Sequence, residues 1–277
     1  MKRFLLPRPP DKKGIIRLSG ADFHYLARVR RLKPGLVFSA LLPGGGEVQV
    51  LVQSLEGECL VGKCLQNVSG INAVSVTPNA AGVIPVSPAS PEGLPPLILF
   101  QALPKGTKLD LIVRQAAEGA VTEIVPFEAE YSVVRLKDGG YDQKTERWRR
   151  IIREARQQSG SAAATAIRSP QSFDSLLSYW EELKRMYPGA RGIFLHQTRL
   201  AEGAFHRYLD PVPACVALAI GPEGGFSPGE TEGFMAAGFK PLTLGHSILR
   251  TETAALYGMA AIRIILLENA SWMQKIP

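Results

Sequence analysis

Residues 215–226 constrain this chain more than any other stretch. Cys215-Val216-Ala217-Leu218-Ala219-Ile220 is apolar throughout and runs straight into Gly221-Pro222-Glu223-Gly224-Gly225-Phe226. A strand with no polar face must be covered on both sides, as central strands of parallel sheets are. A helix start follows, with Ser227 in the capping position, Pro228 in the first turn and Glu230 placed to close a capping box. Strand, Gly-rich turn and helix form the repeating unit of an α/β domain. Ligands of open α/β sheets bind beyond the carboxyl ends of the strands.

The region upstream fits the same class. Leu97–Ala102 reads as a strand, Leu109, Ile112, Val113 and Ala116 recur at helical spacing, and Val121–Phe127 reads as a second strand. A basic amphipathic helix follows, with Trp148, Ile151, Ile152 and Ala155 on one face and Arg147, Arg149, Arg150, Arg153 and Arg156 around the rest. Ile193–His196 and Pro241–Leu244 are further short strands. This strand–helix rhythm predicts an α/β domain with a mostly parallel sheet over 97–277.

The first 70 residues behave differently. Gly14–Leu18, Leu36–Leu42, Val48–Val52 and Cys59–Leu65 read as short strands. Val48, Val50 and Val52 alternate with Gln49, Leu51 and Gln53, the period of a strand with two unlike faces. One helix is expected over Gly20–Leu32, capped by Ser19 or Asp22. The sum is a small β-barrel or β-rich module over 1–70. Pro78, Pro85, Pro88, Pro91, Pro95 and Pro96 then mark 71–96 as a linker or insert. Charge divides the chain at the same place: residues 1–70 hold 11 Lys+Arg against 5 Asp+Glu, a net of +6, and the other 207 hold 21 against 20. A basic module beside a near-neutral one suggests a polyanionic partner for the first part.

Several classes drop out. Three cysteines make no disulfide framework, and with four scattered histidines they make no metal site, so no metal is expected. Met1-Lys2-Arg3-Phe4-Leu5-Leu6-Pro7 ends its apolar run after three residues, unlike a secretory leader. The apolar stretch Ala254–Leu267 is too short and too polar to span a bilayer. A cytoplasmic protein with no membrane partner is expected.

A second loop repeats the theme of the first. After the strand ending at Leu244 come Gly245-His246-Ser247-Ile248-Leu249-Arg250-Thr251-Glu252-Thr253-Ala254, with Thr251 as expected cap of the last helix. Arg250 precedes that helix, where its charge opposes the macrodipole. It needs solvent or a partner: Glu223, Glu252 or a bound anion. The first loop is neither G-x-x-x-x-G-K-[ST] nor G-x-G-x-x-G and holds no basic residue, so no nucleotide phosphate is expected there and a dehydrogenase is disfavoured.

Together Gly221-Pro222-Glu223-Gly224-Gly225-Phe226 and Ile248-Leu249-Arg250-Thr251-Glu252-Thr253-Ala254 resemble the signature of the bacterial small-subunit (16S) ribosomal RNA uridine N3-methyltransferases, of the trefoil-knotted SPOUT superfamily. Further likeness lies in Arg3-Phe4, in His24 with Val29-Arg30-Arg31-Leu32-Lys33-Pro34-Gly35, in Ala102-Leu103-Pro104-Lys105 and in Gln158-Ser159-Gly160. Gln115, Gly119, Tyr131, Gln157 and Ser161 depart from the pattern. Those changes motivate one alternative, an RNA-binding protein of the same fold with weak or no catalysis; methylation of another ribosomal RNA nucleotide is a second.

The resemblance implies a PUA-like RNA-binding barrel, a knotted catalytic domain that dimerises, S-adenosylmethionine as cofactor, and 16S ribosomal RNA or the small subunit as partner. It implies Arg250 as the cation meeting charge on the uracil, with Glu223 orienting Arg250 or taking the proton. Leu195, His196, Gly221, Pro222, Glu223, Gly224, Gly225, Leu244, Gly245, Ile248 and Leu249 would surround the cofactor. Arg3, Arg28, Arg30, Arg31 and Lys33 are the expected RNA contacts. Each phosphate neutralised releases counterions, so RNA affinity should fall with salt at a slope of roughly −0.7 to −0.9 per contact. Replacing Arg30 and Arg31 with Ala should weaken RNA binding and flatten that slope, measured by titration at several salt concentrations; an unaltered slope would mean a merely solvated basic face.

Overall fold

The computed structural model describes residues 3–65, 93–135, 141–198 and 204–273. Most of the expected 71–96 insert therefore lies outside the described residues. Two sheets organise the rest, each with its own apolar core.

The N-terminal sheet is built from β1 (Phe4–Leu5), β2 (Ile15–Ser19), β3 (Val37–Leu41), β4 (Glu47–Glu56) and β5 (Cys59–Cys64). Its order is β1-β3-β4-β5-β2, antiparallel except for the parallel pair β1–β3. The alternation of the fourth strand holds, for Val48, Val50 and Val52 are all buried. The expected closed barrel does not. β1 and β2 are the ends of the order and do not pair with each other. The free edge of β1 is taken by a side chain instead: the Leu5 N–H donates to Gln157 Oε1 at 2.6 Å and Gln157 Nε2 donates to the Arg3 carbonyl at 3.0 Å. One amide thus offers β1 a donor and an acceptor, as a neighbouring strand would.

The expected helix over Gly20–Leu32 is also corrected. It comprises α1 (Gly20–Phe23) and a π-helical turn over His24–Val29. Ser19 stands in the cap position, but its side chain caps nothing, and Asp22 lies inside the first turn. The wider winding shows in Arg30 N–H to Tyr25 O at 2.9 Å and Leu32 N–H to Leu26 O at 3.0 Å. It places Phe23, Leu26 and Leu32 in one core with Phe4 from one sheet edge and Ile16 and Leu18 from the other.

The second sheet comprises β6 (Leu97–Ala102), β7 (Glu123–Glu128), β8 (Ala166–Ile167), β9 (Gln171–Ser172), β10 (Arg191–Leu195), β11 (Val216–Ile220) and β12 (Lys240–Leu242). Every pairing is parallel, in the order β12-β10-β11-β6-β7-β8 with β9 also on β7. Among the described residues five helices lie between these strands, α2 (Lys108–Glu118), α3 (Asp142–Ser159), α4 (Phe173–Met186), α5 (Phe205–Tyr208) and α6 (Pro228–Ala236), and α7 (Thr251–Met273) follows the last. Alternate residues of the central strands enter opposite cores. Leu97, Leu99, Val216, Leu218 and Ile220 face the side of α2, α3 and α7, whereas Ile98, Phe100, Ala217 and Ala219 face α4 and α6. That double burial is why these strands read as unbroken apolar runs.

α7 buries Ala255, Met259, Ile262 and Leu266 as a stripe at helical spacing. It lies close against β11 because Gly258 has no side chain: a Cβ there would come within 2.8 Å of Leu218. Among the described residues no helix is long and apolar enough to cross a membrane.

α3 joins the two sheets. Trp148, Ile151, Ile152 and Ala155 are buried as expected, but Arg156 does not join the basic surface. It is buried, and its guanidinium donates to the carbonyls of Pro43 at 3.0 Å and Leu42 at 3.2 Å. Burial lowers its pKa to about 10, so it stays charged at neutral pH. Gly160 ends α3 in a left-handed conformation, and its carbonyl accepts from Arg3 Nη1 at 3.0 Å. Removing Arg156 strands the Pro43 carbonyl, leaves the Leu42 carbonyl with only the Gly45 N–H, and opens a gap between the sheets. Arg156→Ala should cost about 2–3 kcal/mol in urea unfolding, with no rescue by Lys; a wild-type midpoint would show the contact to be idle.

Candidate functional site

The loops after β10, β11 and β12 converge on a cavity of about 270 Å³. Its first wall is the turn after β11. Ile220 is buried at the strand end, and the Gly225 N–H donates to the Pro222 carbonyl at 3.0 Å with Gly225 at φ +74°. A Cβ on Gly221 would lie 3.3 Å from the Gly225 backbone, so a side chain there would press the turn open by a few tenths of an ångström. The capping box forms as expected: Ser227 Oγ accepts from the Glu230 N–H at 3.2 Å, and Glu230 Oε2 accepts from the Ser227 N–H at 2.9 Å. The other oxygen of Glu230 accepts from the Glu130 N–H at 2.8 Å. Phe226 then drops into the core against Phe194, Phe127 and Phe234.

The second wall is the loop after β12, where Gly245 sits at φ +104°, a conformation side chains disfavour. The third is the end of β10. The His196 N–H donates to the Leu242 carbonyl, and His196 Nδ1 faces the Thr198 main chain, accepting its N–H at 3.1 Å.

Of the residues expected around a ligand, Leu195, His196, Gly221, Pro222, Glu223, Gly225, Leu244, Gly245, Ile248 and Leu249 line this cavity. Gly224 does not; it backs onto Tyr131, whose Cβ would lie 2.9 Å from a Cβ at that position. Gln197, Thr243, Ser247 and Ala254 also line it without having been expected. Thr251 is corrected in role. It is the first residue of α7 rather than the cap before it, and its hydroxyl donates to the Gly221 carbonyl at 2.8 Å.

Charge at the mouth is arranged differently from the sequence expectation. Glu223 does not face Arg250. It accepts from Lys108 Nζ at 2.6 Å and from the Lys105 N–H at 3.2 Å. Partial burial would raise its pKa, but Lys108 and the two backbone N–H groups outweigh that and hold the carboxyl below its ordinary range. Glu252 Oε2 lies 3.8 Å from the same lysine. Nothing local in the sequence signals Lys108, which sits 115 residues before Glu223. Arg250 lines the cavity, is exposed, and forms no ion pair among the described residues.

The expected RNA contacts divide. Arg28, Arg31 and Lys33 are exposed around the π-helical turn, and Arg31 holds φ +54°. Arg30 is half-buried. Arg3 is engaged within the chain, with Nε 2.8 Å from Glu47 and Nη1 on Gly160. No group of three His, Cys, Asp or Glu able to hold a metal occurs among the described residues. Cys64 and Cys215 are buried free thiols, and burial pushes Cys215 up to about 12.

The family profile described as "RNA methyltransferase domain" matches residues 91–263. The chain is 30% identical over 256 residues to the ribosomal RNA small subunit methyltransferase E of Synechocystis sp., covering 92% of this chain and 74% of that protein. This chain belongs to the RNA methyltransferase domain family. Two solved relatives of this methyltransferase share its fold. One is the ribosomal RNA small subunit methyltransferase E of Neisseria gonorrhoeae bound to S-adenosyl methionine, with TM-score 0.69, 23% identity, and 96% and 98% of the two chains covered. The other, from Legionella pneumophila in complex with the bound cofactor SAM, has TM-score 0.66, 25% identity and 95% and 97% coverage.

The capping box gives the cavity a testable rigid edge. Ser227→Ala removes one acceptor from a buried helix start and should cost about 1 kcal/mol, seen as a drop of a few degrees in a thermal melt; an unmoved melt would show that Glu230 alone holds the turn.

Proposed function

We propose that this chain methylates N3 of a uridine in 16S ribosomal RNA with S-adenosylmethionine as methyl donor. One observation carries the reading: Arg250 is an uncommitted cation at the mouth of a cavity walled by two glycine loops, while both nearby carboxylates are drawn to Lys108. The cavity suits that cofactor. Its walls at Leu195, Ile220, Leu244 and Leu249 are apolar, and among the described residues no Lys or Arg other than Arg250 lines it, which fits a nucleoside and a sulfonium rather than a phosphate. Main-chain groups of Leu195, His196, Gly221, Gly225, Leu244, Gly245 and Leu249 would hold the adenosine and methionine parts. Bound there, S-adenosylmethionine supplies an electrophilic methyl group.

The chain's own residues prepare the nucleophile. Uracil N3 carries a proton, and losing it spreads negative charge onto the two flanking carbonyl oxygens. The planar fork of Arg250 matches those oxygens and favours that anion. Glu223, ionised and held by Lys108 and the Lys105 N–H, braces the loop and is a poor proton acceptor, so the proton leaves to solvent at the open mouth.

The wider organisation follows the same reading. Residues 1–70 form a PUA-like RNA-binding module, 71–96 an insert, and 97–277 the knotted catalytic domain. The return of α7 from beyond β12 to Gly221 supports the knot. The exposed face of α7, with Leu256, Tyr257, Ile264 and Leu267, supports a homodimer. A ribosomal RNA substrate places the enzyme in the cytoplasm.

Arg250 opposes the α7 dipole at a cost of about 0.3–1 kcal/mol, so stability does not account for it. Arg250→Ala should slow single-turnover methylation by about 10²–10³, with cofactor affinity and melting temperature near wild type, and Arg250→Lys should keep part of the rate. A full-rate Arg250→Ala enzyme would end the proposal, and weaker cofactor binding at an unchanged rate would reassign Arg250 to bracing the loop.

A further inference from the structure

Behind the cavity wall lies a buried polar side chain that the chemistry above does not use. Gln101 is the fifth residue of β6, fully buried, on the face that meets α7. Its Nε2 donates to Thr251 Oγ1 at 3.1 Å and to the Ala102 carbonyl at 2.9 Å. Thr251 is itself buried, and its hydroxyl donates to the Gly221 carbonyl at 2.8 Å.

These contacts fix the direction of every hydrogen. A hydroxyl has one proton, and the Gly221 carbonyl can only accept it. Thr251 therefore accepts from its other neighbour, which must present N–H. The amide of Gln101 is forced to turn its NH₂ toward Thr251 and Ala102. Its Oε1 is left buried with no donor. A buried carbonyl without a partner is a standing cost, and the opposite amide orientation would set two acceptors against each other at Thr251. The arrangement thus gives up one hydrogen bond in order to hold one carbonyl, that of Gly221, in the wall of the cavity.

We infer that Gln101 is a positioning residue for cofactor binding: through Thr251 it pins the Gly221 carbonyl and the start of α7, setting the wall before any ligand arrives. The inference rests on the proposed use of the cavity for S-adenosylmethionine. The relay ties the first residue of α7 to the end of β6 and the turn after β11, two neighbours that the sheet already holds in register through Gln101 and Ile220. Gly221 has no side chain to anchor itself, so its carbonyl orientation depends on a partner from outside the turn.

The test uses Gln101→Leu, which keeps the volume and removes the amide, with Thr251→Val, Thr251→Ser and the Gln101→Leu/Thr251→Val pair. Two readouts are taken: amide hydrogen exchange across residues 221–226 and 251–254 of the ligand-free protein, and S-adenosylmethionine affinity by calorimetry. Gln101→Leu and Thr251→Val should each speed exchange in both segments and weaken affinity about five- to tenfold, raising KM for the cofactor with kcat at saturation near wild type. Thr251→Ser should behave as wild type, and the double variant should be no worse than the poorer single. Wild-type exchange and affinity in Gln101→Leu would overturn the relay, as would additive losses in the double variant. Altered exchange in a protein whose wild type binds no S-adenosylmethionine would sustain the relay and sink the proposed function.

Discussion

The bond from the Thr251 hydroxyl to the Gly221 carbonyl is the contact that ties the start of α7 to the turn after β11 and so gathers the walls of the cavity. β10, β11 and β12 could pair without it, but their loops would then be three separate turns at the edge of a sheet. The chain leaves β12, on the far side of β10 from β11, and returns to place the first residue of α7 against the turn after β11. Gly258 lets the helix continue down the face of β11, where any Cβ would strike Leu218. Loop 244–250 is therefore held at both ends, by β12 and by α7. A ligand site made of backbone gains rigidity from such double anchoring, because its groups have no rotamers of their own to lock.

The N-terminal sheet depends on the second half in a similar way. Its strand β1 is two residues long and has a single strand partner. Alone it would leave an open edge, the usual route to misassociation. Two residues near the end of α3 and the glycine after it close that edge. Gln157 pairs with the β1 backbone, Arg156 reaches the carbonyls of Leu42 and Pro43, and Gly160 receives Arg3. The two sheets keep separate apolar cores and meet through polar contacts, so their mutual orientation is set by hydrogen-bond direction more than by packing. A module placed in this way can present a basic surface at a fixed angle to the cavity.

Much of this was legible in the sequence where one local pattern decides the outcome. Leu97–Ala102 matches β6 to the residue, the capping box at Ser227 forms as written, and ten of the eleven residues expected around a ligand line the cavity. Other features were not legible because their cause lies far along the chain. The barrel expectation failed since alternation specifies faces, not closure, and Gln157 takes the edge that a closing strand would have used. Arg156 resembled its surface neighbours because helical spacing cannot report two carbonyls 113 and 114 residues away. The helix over Gly20–Leu32 was cut short by π winding, which no residue type marks. Glu123 is another case, a buried carboxylate in an apolar strand, met by Arg168 at 2.7 Å and by a hydrogen bond from the Tyr179 hydroxyl.

The same distance problem governs the charges at the cavity mouth. The sequence left Arg250 to point to solvent or to take Glu223, Glu252 or a bound anion as its partner. The fold instead supplies Lys108, from the first turn of α2, and that lysine draws both carboxylates to one side. Two consequences follow. Arg250 loses its internal counter-ions and keeps its charge directed at whatever enters the mouth. Glu223 gains a counter-ion that lowers its proton affinity, so a carboxylate beside the site stays ionised and structural. Had Arg250 been paired with Glu223, an arriving base would have had to break an ion pair before meeting the guanidinium, and the attraction available to a developing anion would have been spent in advance. Placing the counter-ion elsewhere leaves that attraction unspent in the resting protein, as the role proposed for Arg250 in the transition state requires.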